Sequence, residues 1–392
     1  MVPTAWACRA AGMEVVVAAP PYCLPAVHRT GLPAVPVGDA TEAVRKGPPR
    51  FSRDWGSDRP WPAGWTSRPE LLDETQSAVL EFTAGKQLHK AAGMVEDLVA
   101  FARHWRPDVV VCDVLCHAGP VAAAAVGVPH VSHGWEVATM AHTERTGRTG
   151  GLRPEYTALF ARFGLPPRPC SDRMIQLAPP AMTVPASLGQ TEIPMRYVPY
   201  NGSGALPPWL RTRSQRPRVC VTSGLALGGF DKETAADAMR AFVGPLAGLD
   251  IEVVLAGTAD QRDLAAGLPG GARFAESPPF HQLLPSCDAV IHHGGAGTAM
   301  TAVHAGVPQV ILPQSPPHTE IAYRVEQAGA GVVVDPEADG GAVRDALLSV
   351  LGDGRYRAAV AAVRAERDAM PTPAEVCARW ASAPAGELAS PR

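Results

Sequence analysis

The sequence predicts an α/β protein built from two doubly wound parallel-sheet domains. Three observations lead there. Short apolar runs alternate with helical stretches through most of the chain, which is the pattern of βαβ units. A Pro- and Gly-rich span, Pro199–Pro217, interrupts that pattern once, as an interdomain linker does. The chain has 392 residues, enough for two or three domains at about 150 residues each. The resulting division is a first domain over residues 1–200, a linker over 201–217, a second domain over 218–378 and a tail over 379–392.

The second half alternates most cleanly. Arg218–Ser223 is a strand, followed by a Gly-rich turn from Gly224 to Gly229 and a helix over Asp231–Leu246. Strands follow at Ile251–Ala256, Asp288–His292, Gln309–Leu312 and Gly331–Val334. Helices follow at Ala296–Ala305, Thr319–Ala328, Ala342–Leu351 and Arg355–Met370. The first half is of the same kind but looser. It offers helices at Val2–Gly12, Leu80–His104 and Pro120–Val126, and strands at Glu14–Ala18, Val109–Cys112 and His130–Ser132. Between them, Gly38–Asp73 is rich in Pro, Arg and Trp and suggests a long loop or lid. A doubly wound domain normally opens on a strand and a glycine turn. This chain opens directly on a helix, and the strand expected before Val2 is missing.

Composition narrows the function classes. Apolar residues are 46% and charged residues 19%, which excludes a disordered chain. The net charge of −3 gives no reason to expect nucleic acid or an anionic membrane as partner. Eight cysteines are too sparse for a disulfide scaffold, and only Cys112 and Cys116 lie close in sequence. The expectation is reduced, mostly buried thiols. No apolar run is long enough for a membrane span, and no secretory signal is visible. The setting expected is the cytoplasm.

The segment that carries chemistry is Ile291–Thr301, IHHGGAGTAMT, placed after a strand and opening a helix. Gly294, Gly295 and Gly297 let the backbone approach a ligand closely. The N–H groups of Gly297, Thr298 and Ala299 are expected to be free at the helix start, where they and the helix dipole favour an anion. His292 and His293 add side-chain donors. A Gly-rich turn alone also serves tight packing. Two histidines, then Gly306–Val307–Pro308 and a strand ending at Pro313, make a phosphate site the stronger reading.

That composite resembles the C-terminal signature of the antibiotic and macrolide glycosyltransferases of actinomycetes, close to the UDP-glycosyltransferase superfamily and of GT-B fold. The resemblance rests on His292–Thr298, Gly306–Pro313, Gly329–Val334, Met195–Gly202, Arg218–Gly224, Pro107–Asp113 and Gly127–His130. It implies two Rossmann-like domains facing across a cleft. The linker stretch resembles the subgroup that uses TDP-deoxysugars on polyketide or aromatic aglycones. In that reading His293 meets the diphosphate, and Gly295, Gly297 and Thr298 donate to it. Ser223 and Gly224 approach it from the other side, while Pro279 and Phe280 flank the thymine base. The resemblance implies inverting, metal-independent transfer, with TDP-sugar as co-substrate and no cofactor. No acidic pair here has convincing Mg²⁺ spacing. The implied partners are a nucleotide-sugar donor, a hydrophobic natural-product acceptor and, in some relatives, an activator protein.

Two departures from the family pattern stand out. The usual acidic–Gln pair after the strand ending at Pro313 is replaced by Pro317 and His318, leaving Gln314, His318 and Glu320 as substitutes for holding sugar hydroxyls. The usual base, a histidine after the first strand, would lie upstream of the segment matching Met1–Gly12. The resemblance implies that Asp113, which matches the family's acidic residue at the end of this strand, orients that histidine or lines the acceptor cleft, the alternative being a simple strand-end cap. His117, one turn on if that stretch is helical, is a weaker substitute base. His133, Trp135 and Glu136 are expected to face the acceptor or to pack the edge of the core. Phe51, Trp55, Trp61 and Trp65 would form an acceptor lid or pack their own loop down. The alternative to an active transferase is a catalytically inactive sugar-nucleotide-binding homologue, acting as a partner protein. A sugar-nucleotide epimerase of the same fold fits the linker less well.

Overall fold

The computed structural model describes residues 1–38, 61–66, 68–134, 138–147, 151–169, 171–183, 190–202, 204–212, 214–222, 242–262, 272–313, 315–335 and 338–383. Of the expected helix over Asp231–Leu246, residues 231–241 fall outside them, and its end at Gly244–Leu246 is a 3-10 turn. Among the described residues, no helix is long and apolar enough to cross a membrane.

The first half opens on Val2–Ala10 (α1), with Pro3 in the first turn, where its missing N–H costs nothing. Val17–Ala19 (β1), Leu24–His28 (α2) and Ala34–Pro36 (β2) follow, and β1 and β2 pair in parallel as a two-stranded sheet. Glu74–Trp105 (α3) begins six residues before the expected Leu80. The reason is a capping box at Asp73 and Gln76, which satisfies the first orphan donors of the helix. Next come Val110–Asp113 (β3), Gly119–Val126 (α4), His130–His133 (β4), Ala138–Thr146 (α5), Pro154–Ala161 (α6), Arg173–Gln176 (β5) and Thr191–Pro194 (β6). Strands β3-β4-β5-β6 form a second, four-stranded parallel sheet in that order. Leu88, Val95 and Val99 of α3 pack against Val121 of α4 and Tyr156 and Phe160 of α6.

The second half contains Arg218–Thr222 (β7), Glu252–Gly257 (β8), Arg273–Glu276 (β9), Phe280–Leu283 (α7), Ala289–His292 (β10), Ala296–Ala305 (α8), Gln309–Ile311 (β11), Pro316–Gln327 (α9), Gly331–Val333 (β12), Gly340–Gly352 (α10) and Gly354–Ala369 (α11). Its six strands run parallel in the order β12-β11-β10-β7-β8-β9. Alternate residues feed two cores. Val219, Val221 and Ile291 meet Val343, Leu347 and Val350 on one face. Cys220, Val254 and Val290 meet Leu283, Leu284 and Ala302 on the other. Burial on both faces is what the near-continuous apolar strands required.

The strand order reverses direction between β7 and β10. In open α/β sheets the crevice at the carboxyl end of such a reversal is where ligands bind. The last helix, Pro373–Ser382 (α12), leaves the second half and lies on α1, with Val376, Cys377 and Trp380 packed with Cys8 and Met195. The expected boundary at residue 378 therefore falls inside a helix, because the apolar face of α12 is completed by the first half.

Candidate active site

At the reversal point, Thr222 of β7 stands opposite His292 of β10, and both strands end there. The two neighbouring histidines have different tasks. His292 is fully buried, with Nε2 2.9 Å from Gln309 Oε1 and Nδ1 accepting the Gly294 N–H at 3.1 Å. Both its nitrogens are occupied by the turn and the core, so it holds the turn and offers no donor to a ligand, contrary to expectation. His293 lies beyond the strand end and hydrogen-bonds the backbone of Thr222. Its ring meets His318 edge to face, with centroids 4.7 Å apart.

The glycines explain how the turn closes. Gly294 has φ +93°, and a Cβ there would sit 2.9 Å from His318 Cβ and 3.0 Å from the His318 carbonyl. The start of α9 is thus pressed onto the start of α8. A Cβ on Gly295 would meet His293 Nε2 at 2.5 Å, so this glycine makes room for the ring. Gly297 is exposed, and a Cβ there would meet nothing within 4 Å. The N-cap Gly295 supplies no side-chain bond, which leaves the first N–H groups of α8 facing outward. The free group expected at Ala299 is in fact bonded to the Gly295 carbonyl at 3.0 Å. The outward donors are one residue earlier, at Ala296, Gly297 and Thr298, because the helix starts at Ala296.

The other expected donor-side residues lie on separate elements. Pro279 is the N-cap of α7, and Phe280 is a core residue with 8% of its surface exposed, packed with Leu283, Leu284 and Val307. The linker reaches the same turn through Asn201 Oδ1, which accepts the His281 N–H at 3.3 Å. Tyr197 hydroxyl donates to the Gly297 carbonyl at 3.2 Å, fastening the linker to the first turn of α8. Ser223, Gly224 and Gln314 lie outside the described residues. His318 is half-buried in the first turn of α9, which begins at Pro316 and not at Thr319, since Pro316 and Pro317 suit a helix start.

Glu320 has another task than holding a sugar. It is fully buried, accepts the Gly64 N–H at 3.1 Å and pairs with Arg324 at 2.6 Å. Trp65 is also fully buried, and its indole N–H donates to the Pro316 carbonyl at 3.2 Å. Trp61 meets Trp65 with the rings tilted at 59° and centroids 5.2 Å apart, beside Leu72, Val79, Leu80 and Leu115. These tryptophans pack their own loop down and tie the first half to α9. Phe51 and Trp55 lie outside the described residues.

On the acceptor side, Asp113, His117 and His133 all line one cavity of about 1330 Å³. Asp113 ends β3 half-buried, and its Oδ1 accepts the Leu115 N–H at 2.9 Å, as a strand-end cap does. The stretch after it is a pair of turns, not a helix. It buries His117, whose Nε2 lies 2.9 Å from Glu144 Oε2 with the ring fully enclosed. That enclosure removes His117 from the reach of an acceptor hydroxyl. His133 is 1% exposed and bonds Thr4 Oγ1 at 2.9 Å, so it fastens α1 to β4. Neither Thr4 nor Glu144 carried a sequence signal, since both partners are distant in the chain. Trp135 and Glu136 lie outside the described residues.

The buried histidines make stability pH-dependent. Burial pushes His130, His133 and His292 down to about 3, and His293 to about 4. The folded chain keeps these rings neutral, while the unfolded chain protonates them near 6.5. Stability is therefore full above about pH 6.5 and falls as the pH drops toward 4, by at most ~1.4 kcal/mol per pH unit per ring. Urea unfolding at pH 7 and pH 5 checks this. The midpoint falls at pH 5, and an unchanged midpoint contradicts the assignment of neutral rings.

Comparison with known proteins agrees with this geometry. The family profile for the N-terminal domain of erythromycin biosynthesis protein CIII-like proteins matches residues 6–224, and that for the C-terminal domain matches residues 240–382. The 10-deoxymethynolide desosaminyltransferase of Streptomyces venezuelae is 37% identical over 408 aligned residues, which cover 96% of this chain and 92% of the relative. The TDP-daunosamine transferase DnrS of Streptomyces peucetius is 35% identical, covering 96% and 91%. The spinosyn rhamnosyltransferase SpnG, solved in complex with thymidine diphosphate, superposes with a TM-score of 0.77 at 29% identity, covering 95% of this chain and 94% of that one. Both halves are matched and the reversal point carries the helix start that the turn demanded, so the chain belongs to the erythromycin biosynthesis protein CIII-like family of GT-B glycosyltransferases.

Proposed function

We propose that this glycosyltransferase moves a deoxysugar from a TDP-sugar to a hydroxyl of a hydrophobic natural-product aglycone, with inversion and without a metal ion. The observation that carries this is the start of α8 at the strand-order reversal. Its outward N–H groups at Gly297 and Thr298 converge there with His293 and with the start of α9. A diphosphate seated there receives fixed donors and the positive end of the helix dipole. As the glycosidic bond breaks, negative charge grows on the departing TDP, and donors already in place stabilise it without reorganising. Attack from the opposite face by an acceptor held in the first half inverts the anomeric centre. Asp113, which lines the acceptor-side cavity, is the carboxylate that orients the attacking hydroxyl and takes its proton as the new glycosidic bond forms. Named relatives act with TDP-daunosamine or on 10-deoxymethynolide, which supports this substrate class.

Calorimetry with TDP in excess EDTA tests the donor site. Binding is expected without added metal, and His293→Ala is expected to lose tenfold or more, since a hydrogen bond to a charged group is worth about 1.5–3 kcal/mol. Binding that appears only after Mg²⁺ is added would overturn the metal-independent reading. Equal affinity in both chains would remove His293 from the site. Inversion is read from the anomeric coupling of the product.

A further inference from the structure

Helices α1 and α12 lie far apart in the chain and pack together, with two thiols inside the contact. Cys8 Sγ of α1 is 2.8 Å from Cys377 Sγ of α12. The sulphurs of a disulfide are about 2.05 Å apart, so bonding needs a shift of less than about 1 Å. Met195, Val376 and Trp380 enclose the pair. Cys377 is fully buried and Cys8 is 7% exposed. The other buried thiols are placed differently. Cys112 Sγ lies 3.0 Å from His130 Nε2, and Cys116 is only four residues further on, so a bond between those two closes a very short loop. Cys220 and Cys287 sit in one core of the second half, which its sheet already holds together. Cys8 and Cys377 are 369 positions apart. A cross-link restricts the unfolded chain more as the loop it closes grows longer.

The two thiols are unequal. The hydrogen bond from Cys377 holds the Cys8 thiol below its ordinary range, although burial works against it. The bond to Cys8 and then burial push Cys377 up. Cys8 is thus the sulphur that ionises first and the one a small reagent reaches, while Cys377 waits beside it.

We propose that Cys8 and Cys377 form a reversible disulfide in the presence of a peroxide, and that this bond fastens α12 to α1. The Cys8 thiolate attacks one oxygen of hydrogen peroxide. The O–O bond breaks, hydroxide leaves and takes the Cys8 proton as water, and Cys8 becomes a sulfenic acid. The Cys377 sulphur then attacks the Cys8 sulphur. The S–S bond forms, the S–O bond breaks, and the second hydroxide leaves as water with the Cys377 proton. Two thiols lose two electrons and two protons, and one peroxide becomes two waters. A dithiol reverses the bond by exchange.

The consequence follows from where α12 lies. The chain returns from the second half at Met370 and Pro371, beside the linker. Arg196 N–H donates to the Pro371 carbonyl at 2.7 Å, and Arg367 Nη2 donates to the Tyr197 carbonyl at 2.8 Å. Beyond that crossing, α12 is held by packing on the first half. On the other side of the pair, Thr4 of α1 offers its carbonyl to Cys377 Sγ at 3.6 Å and bonds His133 of β4 through its hydroxyl. The disulfide therefore adds a covalent tie to a contact that otherwise opens when α12 undocks. This inference stands on the α1–α12 contact alone and does not rest on the proposed transfer reaction.

The 392-residue chain is reduced, freed of reductant and treated with hydrogen peroxide, beside Cys8→Ser and Cys377→Ser. Alkylated, unreduced digests are mapped by mass, and each sample is melted with and without dithiothreitol. The parent is expected to yield a linked Cys8–Cys377 peptide and a melting midpoint raised by about 5 °C or more. Dithiothreitol abolishes that gain, and both variants lack it. Both cysteines recovered as free thiols, Cys8 recovered as a sulfinic acid, or a link from either one to another cysteine would overturn the pairing. A linked peptide with an unchanged or lowered midpoint would overturn the fastening of α12. The parent's peptide and midpoint decide between these outcomes even where a variant does not fold.

Discussion

Gly294→Ala is expected to lower TDP affinity at least a hundredfold, while the same substitution three residues on, Gly297→Ala, leaves the fold intact. Gly294 sits at φ +93°, where an L side chain costs about 1–2 kcal/mol. Its new Cβ would also lie 2.9 Å from His318 Cβ and 3.0 Å from the His318 carbonyl. The carbonyl belongs to the first turn of α9, so relief requires the start of α9 and the start of α8 to separate. The donors at Gly297 and Thr298 then move together with His293. Losing two such hydrogen bonds to a charged group, at about 1.5–3 kcal/mol each, accounts for a hundredfold or more. At Gly297 a Cβ meets nothing within 4 Å, and alanine is the better helix former. Any affinity lost by Gly297→Ala therefore reports a ligand against that position. Calorimetry with TDP and a thermal melt of each variant separate the two effects. Gly294→Ala with unchanged TDP affinity would remove the turn from the donor site.

The contrast also shows what could be read from the residues in advance. IHHGGAGT announced a strand, a tight turn and a helix start, because three glycines between an apolar run and an alanine-rich run have few other uses. Which histidine faces the ligand was not legible. His292 and His293 are adjacent, and only the position of Gln309 on the neighbouring strand draws the first one inward. The strands Arg173–Gln176 and Thr191–Pro194 escaped notice because RMIQ and TEIP lack the β-branched runs that mark a strand. They are strands because β4 offers an edge beside which Met174 and Ile175 can be buried. The helix Pro373–Ser382 did carry a local signal, the Thr372–Glu375 capping box, but its docking partner lies at the opposite end of the chain. Likewise Asp113 and His117 were visible as polar residues after a strand. Their difference, one half-buried and one sealed against Glu144, depends on α5.

Glu320→Ala is expected to destabilise the chain by about 3–5 kcal/mol, the usual cost of removing one partner from a buried ion pair. The carboxylate is fully enclosed and has two tasks. It neutralises Arg324, whose side chain is only 18% exposed, and it accepts the Gly64 N–H. Alanine leaves a guanidinium and an amide without partners in a space that also holds Trp65. Glu320→Gln keeps an acceptor for Gly64 and loses only the charge, so it is expected to cost less than half as much. Trp65→Phe removes the donor to the Pro316 carbonyl while keeping most of the buried ring, and is expected to cost about 1–2 kcal/mol. Gly64 and Trp65 belong to the first half, whereas Pro316 and Glu320 belong to the second. If these contacts couple the halves, urea unfolding of Glu320→Ala separates into two transitions where the parent shows one. A single transition displaced by less than 0.5 kcal/mol would mean that the carboxylate is solvated in solution and that the tryptophan segment does not hold α9. The position matters for chemistry because α9 begins at the donor site. The same helix that Trp65 and Glu320 anchor also carries His318, and through it the packing that sets Gly294 and His293. A loosened anchor is therefore expected to weaken TDP binding in Glu320→Ala, although Glu320 itself has no free oxygen to offer a sugar.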